Sequence, residues 1–172
     1  MTDPLIDDRT GPALRSARGT DWALISDGVM GGLSSGRLTA EPVAGRPALH
    51  LTGQVSLEND GGFLQMALDL APGGGPVDAS GFAGVELDVA GPPETYGLHL
   101  RTAELTRPWQ SYRADFAVTP EWTRLRLPFD ALRPHRTEVP FAPARLRRLG
   151  LIAIGRAFRA DLAVARVAFF AA

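Results

Sequence analysis

A glycine-rich run at residues 26–36 is the stretch best suited to chemistry done by backbone shape. Glycine permits positive φ and close backbone approach, and short Asp and Ser side chains bond nearby amides, so the run predicts consecutive tight turns with exposed amides. Its residues of interest are Asp27, Gly28, Met30, Gly31, Gly32, Ser34 and Ser35. A second cluster at residues 58–63 contains Glu58, Asn59, Gly61, Gly62 and Phe63.

Two interpretations of these clusters stay open. In the first they are plain hairpin turns, because turn glycines greatly outnumber binding glycines. In the second they meet at one end of the fold and present main-chain hydrogen bonds, with Met30 and Phe63 as apolar contacts for a partner. A core position beneath the loops is the alternative for both side chains. Asp27, Ser34 and Ser35 are expected to fix the loop shape by side-chain bonds to backbone amides.

Residue types used in catalysis and metal binding are present but not suitably spaced. There is no histidine pair with ligand spacing and no cysteine. The glycine-rich run lacks a Lys and does not open a helix, which disfavours a phosphate or dinucleotide site. Glu86 and Asp88 share one strand face and are predicted to face solvent, as are His50 and His99. We therefore predict a protein without enzymatic activity, with no catalytic residue, metal or cofactor.

Composition limits the class of protein and its partners. The chain has 172 residues, of which 45% are hydrophobic, and this predicts a single domain over residues 1–172. Every basic residue is Arg, a codon bias that suggests a bacterial source.

Residues 133–172 are net basic. In this region Arg145, Arg147 and Arg148 form either the solvated face of a short helix near residues 143–149 or a patch for an acidic protein segment or anionic lipid. A pI near 6.3 disfavours nucleic acid.

The first residues carry acidic side chains where a signal or transit peptide needs basic ones. No stretch reaches the roughly 18 uncharged apolar residues of a spanning helix. These features predict a cytoplasmic protein, with peripheral association at the inner face of the membrane left open.

Hydrophobic periodicity predicts an all-β fold. Inward residues alternate with polar ones over residues 49–57, 64–70 and 85–89, the pattern of strands with one buried face. The first of these sets includes Leu57, and the cluster at residues 59–62 is predicted as the hairpin turn between the first two strands. Residues 149–154 are continuously apolar, which predicts a strand buried on both faces. Eight or more short strands separated by turn signals favour an antiparallel sandwich.

Further motifs follow the two glycine clusters in a specific order. They are Tyr96-Gly-Leu-His-Leu-Arg-Thr102, Trp109-Gln-Ser-Tyr-Arg-Ala114, and Trp122 leading to Leu127-Pro-Phe129. With the glycine clusters, these motifs resemble the complex I intermediate-associated protein 30 family, assembly factors for respiratory NADH:ubiquinone oxidoreductase, over about residues 20 to 170. The resemblance implies a galactose-binding-domain-like jelly-roll β-sandwich. It also implies that Arg101, Trp109 and Tyr112 line a cleft, although Arg101 pairing with Glu104 at the surface is an alternative.

Two functions are therefore carried forward. The first is a non-catalytic binding module that assists assembly or stability of complex I subunits or assembly intermediates by protein–protein contact. The alternative is a module that binds a sugar ligand, with Trp109, Tyr112 and Trp122 as stacking aromatics, since sandwiches of this type also occur as carbohydrate-binding modules. Recovery of respiratory-complex subunits with the protein separates the first from the second.

Overall fold

Two antiparallel β-sheets make up nearly all of the regular structure. The computed structural model describes residues 2–172, except for the side chains of Val29, Met30 and Asp60. The strands are β1 (Leu5–Asp7), β2 (Ala23–Ser26), β3 (Ser35–Val43), β4 (Arg46–Val55), β5 (Phe63–Asp69), β6 (Gly84–Ala90), β7 (Glu94–Thr102), β8 (Ser111–Val118), β9 (Thr123–Pro128), β10 (Arg133–His135), β11 (Leu146–Ile154) and β12 (Phe158–Phe170).

The first sheet has the strand order β3-β4-β12-β6-β9, with β1 pairing to β12, and the second has the order β10-β8-β7-β11-β5-β2. The long strand β12 pairs with β4 through its first half and with β6 through its second half. The centre of the first sheet is thus the last strand in the chain. The predicted antiparallel sandwich is confirmed.

The core lies between the sheets and follows the predicted alternation. Leu49, Leu51 and Val55 of β4 are fully buried and belong to the same apolar cluster as Leu64 and Met66 of β5. The prediction that residues 149–154 form a central strand is also confirmed, since β11 lies between β7 and β5. Its residues are buried on both faces except at the end, where Ile154 is 37% exposed.

The structure corrects the predicted hairpin at residues 59–62. Strands β4 and β5 lie in different sheets, so this cluster is part of a crossover from one sheet to the other. Alternation alone cannot distinguish the two cases, because it shows which face of a strand is buried but not which strand pairs with it. The inward position predicted for Leu57 is also wrong. Strand β4 ends at Val55, so Leu57 lies in the crossover and is 51% exposed.

The described helical segments are single 3-10 turns: Asp27–Met30, Glu58–Asp60, Pro72–Gly74, Phe129–Ala131 and Pro143–Arg145. Only the last lies in the helix predicted near residues 143–149; Arg147 and Arg148 belong to β11 instead, which corrects that prediction. Along the described residues, no helix combines the length and apolar character needed for a membrane crossing.

Candidate functional site

The carboxylate of Asp27 joins the two glycine clusters at one end of the sandwich. Asp27 is fully buried at the start of the crossover from β2 to β3. Its Oδ2 accepts hydrogen bonds from the backbone N–H of Gly62 at 2.6 Å and of Phe63 at 3.2 Å. Its Oδ1 accepts from the N–H of Ser34 at 3.0 Å, and the Ser34 hydroxyl donates to Oδ2. One side chain therefore fixes both crossovers relative to each other.

Ser34 extends this connection to the end of β4. Its Oγ accepts a hydrogen bond from the backbone N–H of Ser56 at 2.8 Å. The expectation that the side chains of this run shape the loop by bonding amides is confirmed for Asp27 and Ser34 but not for Ser35. Ser35 takes no part in the described hydrogen bonds to Asp27 and instead opens β3, opposite Gln54.

Several backbone amides of the glycine clusters, which were expected to be exposed, donate hydrogen bonds to acceptors within their own loops. Gly31 and Gly32 donate to the carbonyls of Gly28 and Asp27, at 3.1 and 2.9 Å. Gly61 donates to the carbonyl of Glu58 at 3.1 Å, and Gly28 donates to the Ser26 hydroxyl at 3.2 Å. The loops are therefore a braced frame, and these N–H groups are not presented to a ligand.

Glycine is required at two positions because the backbone passes close to the Asp27 carboxylate. A Cβ added to Gly32 would lie 2.5 Å from Asp27 Cγ, and one added to Gly61 would lie 2.6 Å from Asp27 Oδ2. Both distances are far shorter than van der Waals contact. The side chains are absent here because the buried carboxylate occupies their space.

Burial acts to raise the pKa of Asp27, but hydrogen bonds outweigh it. The bonds come from the Ser34 hydroxyl and from the amides of Gly62, Phe63 and Ser34, and together they hold the pKa below its ordinary value. Asp27 is therefore ionised at neutral pH. A buried anion held by backbone amides is a structural device that gives the loops one shape.

Three large apolar side chains are exposed at this end of the sandwich. Leu33 and Leu57 are 53% and 51% exposed. Leu33 precedes Ser34 and Leu57 follows Ser56, and the hydrogen bond between Ser34 and Ser56 brings these two segments together. Ile154 pairs with the partly buried Phe63 across β11 and β5. We call Leu33, Leu57 and Ile154 the loop-end patch. Sequence reasoning missed it, although the position of Leu33 between glycine and serine residues already separated it from any strand.

Other residues of the clusters have structural positions. Glu58 and Asn59 lie in a 3-10 turn, where Asn59 adopts a positive φ of 56°. Phe63 begins β5. The predicted apolar contact by the Met30 side chain lies outside the described residues.

Of the three residues expected to line a cleft, Tyr112 is buried, whereas Arg101 contacts the loop that carries Trp109. Tyr112 is fully buried, and its hydroxyl donates to the carbonyl of Val139 at 2.7 Å, so it does not line a cleft. Trp109 is 56% exposed in the loop between β7 and β8. Arg101 lies on the outer face of the second sheet and donates to the carbonyl of Pro108 at 2.8 Å. Its predicted pairing with Glu104 is replaced by an Arg145–Glu104 pair.

The predicted solvent exposure of the paired carboxylates is wrong. Glu86 and Asp88 point away from the core but are only 5% and 3% exposed, because arginine side chains from neighbouring segments cover them. Asp88 accepts hydrogen bonds from Arg124 at 2.8 and 3.0 Å and from Arg46 at 3.1 Å. Burial opposes ionisation of Asp88, but these guanidinium groups lower its pKa. An ionised, paired carboxylate cannot serve as a general acid.

The two strand histidines differ from each other. His50 is half-buried, and its ring nitrogens lie 2.6 Å from Glu41 Oε1 and 2.6 Å from Asp161 Oδ1. His99, predicted at the surface, is instead buried on the outer face of the second sheet. Burial, together with the charges of Arg113 and His135, lowers its pKa to about 3. Over the described residues, no group of His, Cys, Asp or Glu is arranged to hold a metal ion.

Solved structures with the same architecture include carbohydrate-binding modules. A family 11 module from Clostridium thermocellum, in complex with a β-1,3-1,4-mixed-linked tetrasaccharide, is 12% identical with a TM-score of 0.72, covering 98% of this chain and 95% of that one. The family 11 module of the cellulosomal cellulase Lic26A-Cel5E from the same organism is 11% identical with a TM-score of 0.75, covering 100% and 96%.

A family 30 module of a Clostridium thermocellum cellulosomal cellulase is 17% identical with a TM-score of 0.57, covering 81% of this chain and 91% of that one. At such identities the likeness concerns the fold, and it confirms the predicted jelly-roll sandwich of the galactose-binding type.

Comparison with curated protein sequences gives no match. The sequence does match the family described as "Complex I intermediate-associated protein 30 (CIA30)" over residues 14–163, which include both glycine clusters and all of the later motifs. The chain therefore belongs to the complex I intermediate-associated protein 30 family.

Proposed function

We propose that this protein is a non-catalytic binding module that assists the assembly or stability of NADH:ubiquinone oxidoreductase subunits by protein–protein contact. The observation that carries the proposal is the family match over residues 14–163. The proposal places the protein in the cytoplasm, at the inner face of the membrane.

The loop-end patch is the contact surface that the geometry supports best. Exposed apolar side chains that are held close together favour burial against a partner. Here Leu33 and Leu57 are attached to loops that Asp27 fixes in one conformation. A patch on a braced frame loses little conformational entropy when it binds, which increases affinity. The glycine clusters thus support the surface, and the leucines beside them make the contact.

Affinity purification with variants distinguishes the contact role of the loop-end patch from the structural role of Asp27. Leu33→Ser combined with Leu57→Ser is expected to leave the melting temperature nearly unchanged and to reduce recovery of complex I subunits from host lysate. Val139→Ser is the matched control, because Val139 is 38% exposed and lies beyond β10, towards the opposite end of the sandwich. Asp27→Ala is expected to lower melting temperature and recovery together, since it leaves buried N–H groups without an acceptor.

A strain deleted for this protein tests the assembly role itself. Accumulation of incomplete complex I is the expected result, and normal complex I levels would overturn the role. Normal recovery of complex I subunits with the double leucine variant would instead overturn only the choice of surface.

Sugar binding is the second candidate, and the fold likeness to carbohydrate-binding modules is the observation that favours it. The aromatics that were expected to stack on a sugar do not support it, because they share no face. Tyr112 is buried, Trp109 is on a loop of the second sheet, and Trp122 precedes β9 of the first sheet and donates to the carbonyl of Val43. Calorimetric titration with a mixed-linked β-glucan tetrasaccharide is expected to show no saturable heat.

A further inference from the structure

The outer face of the second sheet concentrates arginine side chains. Residues on its strands alternate between the core and this face, so the register identifies outward neighbours. Arg148 of β11 lies opposite Arg101 of β7. Arg113 of β8 lies opposite His99 of β7 on one side and Arg133 of β10 on the other. With Arg136 just beyond β10, we call this set the arginine face: Arg101, Arg113, Arg133, Arg136 and Arg148.

The central arginines of this face are held by neutral groups. Arg101 donates to the carbonyl of Pro108 at 2.8 Å, and Arg113 donates to Ser111 Oγ at 2.8 Å. The paired members of the face are Arg148 with Asp69 at 2.7 Å and Arg133 with Asp115 at 3.5 Å. Within the part of the chain that the structure describes, neither Arg101 nor Arg113 has an acidic partner at ion-pair distance. Each therefore keeps unused N–H donors in a fixed position.

Like charges crowd these two guanidinium groups. Burial lowers the pKa of Arg101, and the charges of Arg147 and Arg148 lower it further. Burial also lowers the pKa of Arg113, and the charge of Arg136 lowers it further, whereas the carboxylate of Asp115 acts in the opposite direction. Arginine remains protonated at neutral pH, so the fold holds these positive charges together and neutralises only part of them, through Asp69 and Asp115. An anion on this face would relieve the repulsion, and charge complementarity therefore selects an anionic occupant.

The extent of the face indicates an extended occupant. Neighbouring strands lie about 4.8 Å apart, so the arginines of β11, β7, β8 and β10 span about 14 Å. A single phosphate cannot contact both margins, whereas an extended acidic chain can. Arg101 and Arg113 are half-buried within the sheet face, which a narrow chain can enter and a flat membrane surface cannot.

The side chains between the arginines also favour a polypeptide. Carboxylates match the planar fork of a guanidinium group, which binds them in a bidentate manner. The row through the middle of the face carries no Trp, Tyr or Phe on which a sugar ring would stack. It consists of Ala67, Gly150, His99, Arg113 and Arg133.

We propose that the arginine face docks an extended acidic segment of a protein partner, with Asp or Glu carboxylates pairing to Arg101 and Arg113. This surface is separate from the loop-end patch. The proposed binding of an acidic segment does not require the partner to be a complex I subunit. The peptide experiment therefore tests it independently of the assembly role.

Fluorescence anisotropy with a labelled peptide in which aspartate alternates with serine tests the docking. We expect saturable binding that weakens as salt rises from about 50 to 200 mM, because surface charge attraction is screened. The same peptide with asparagine in place of aspartate is expected to bind about tenfold more weakly or not at all. The Arg101→Gln, Arg113→Gln double variant is expected to lose affinity by a similar factor. Arg126→Gln is the matched control, because Arg126 is an exposed arginine on the first sheet.

Thermal melting of each variant shows whether it is folded. If the double variant fails to fold, Arg136→Gln replaces it, since Arg136 is exposed and its loss is expected to weaken binding about threefold. Equal affinity of the wild type and the folded variants for the aspartate peptide would overturn the proposal. Binding of trigalacturonate or of anionic lipid vesicles without binding of the peptide would also overturn it, by assigning the face to a different occupant.

Discussion

The outer faces of the two sheets differ in how far their charged side chains are paired. On the first sheet, the buried carboxylates of Glu86 and Asp88 lie under arginines from neighbouring segments, and His50 lies between two acidic side chains. On the second sheet, His99 lies among positive charges and the central arginines bond neutral acceptors. The first face is neutralised within the fold, and the second keeps excess positive charge.

The contrast between the histidines shows how local environment sets a residue's chemistry. Burial opposes protonation of His50, but its hydrogen bonds to Asp161 and Glu41 raise its pKa above the ordinary value. Burial and neighbouring positive charges lower that of His99 to about 3. A face that neutralises its own charge serves stability, whereas a face that keeps unpaired charge is available to a partner.

Asp88→Ala tests the contrast most strongly. Removing this buried carboxylate takes away three charge-assisted hydrogen bonds and leaves Arg46 and Arg124 without it, so we expect a loss of about 2 to 3 kcal/mol in urea unfolding. Asp115→Ala on the second sheet is the matched control. Its pair with Arg133 is exposed, and the expected loss is about 0.5 kcal/mol or less. Similar losses for the two variants would remove the distinction between the faces.

His99 gives the second prediction, through pH. Its folded pKa lies below its unfolded value, so the unfolded state binds an additional proton as the pH falls below about 6.5. Stability is therefore lost on acidification, by about 1.5 kcal/mol between pH 6.5 and 5. His99→Gln is expected to flatten this part of the stability curve. An unchanged slope in that variant would show that His99 does not titrate as the structure implies.

His50 gives the smallest effect, with the opposite sign. Its folded pKa is raised, so its contribution is complete below the unfolded pKa near 6.5 and is lost as the pH rises through the folded value. We expect His50→Gln to lower the melting temperature by about 2 °C at pH 6 and by less at pH 9. A deficit that grew towards pH 9 would contradict the ion-paired role.

The comparison of faces also shows what sequence can predict. Alternation placed Leu49, Leu51 and Val55 in the core and located the central strand β11, because a period of two reports which side of a strand is buried. The motifs gave the family and, through it, the jelly-roll fold. Asp27 was identified as a loop organiser from its residue type and its glycine neighbours.

Errors arose where a neighbouring segment decided the outcome. Asp88 and His99 occupy outward positions as predicted, but side chains from other strands bury them. The cluster at residues 59–62 became a crossover because the pairing partners of β4 and β5 are distant in sequence. A single sequence does not report which strands become neighbours. The sequence offered a basic patch at Arg145, Arg147 and Arg148, but the arginine face, which gathers side chains from separate strands, and the loop-end patch could not be predicted from it.

The central position of β12 has a consequence for synthesis on the ribosome. Strands β4 and β6 both pair with β12, which is translated after all the others. Until Phe158–Phe170 leaves the exit tunnel, the first sheet lacks the strand that joins the β3–β4 hairpin to the β6–β9 pair, and both pairs keep an unpaired edge. Folding of this sandwich is therefore expected to be cooperative and to follow the emergence of β12, and the unpaired edges are expected to be prone to aggregation before β12 inserts.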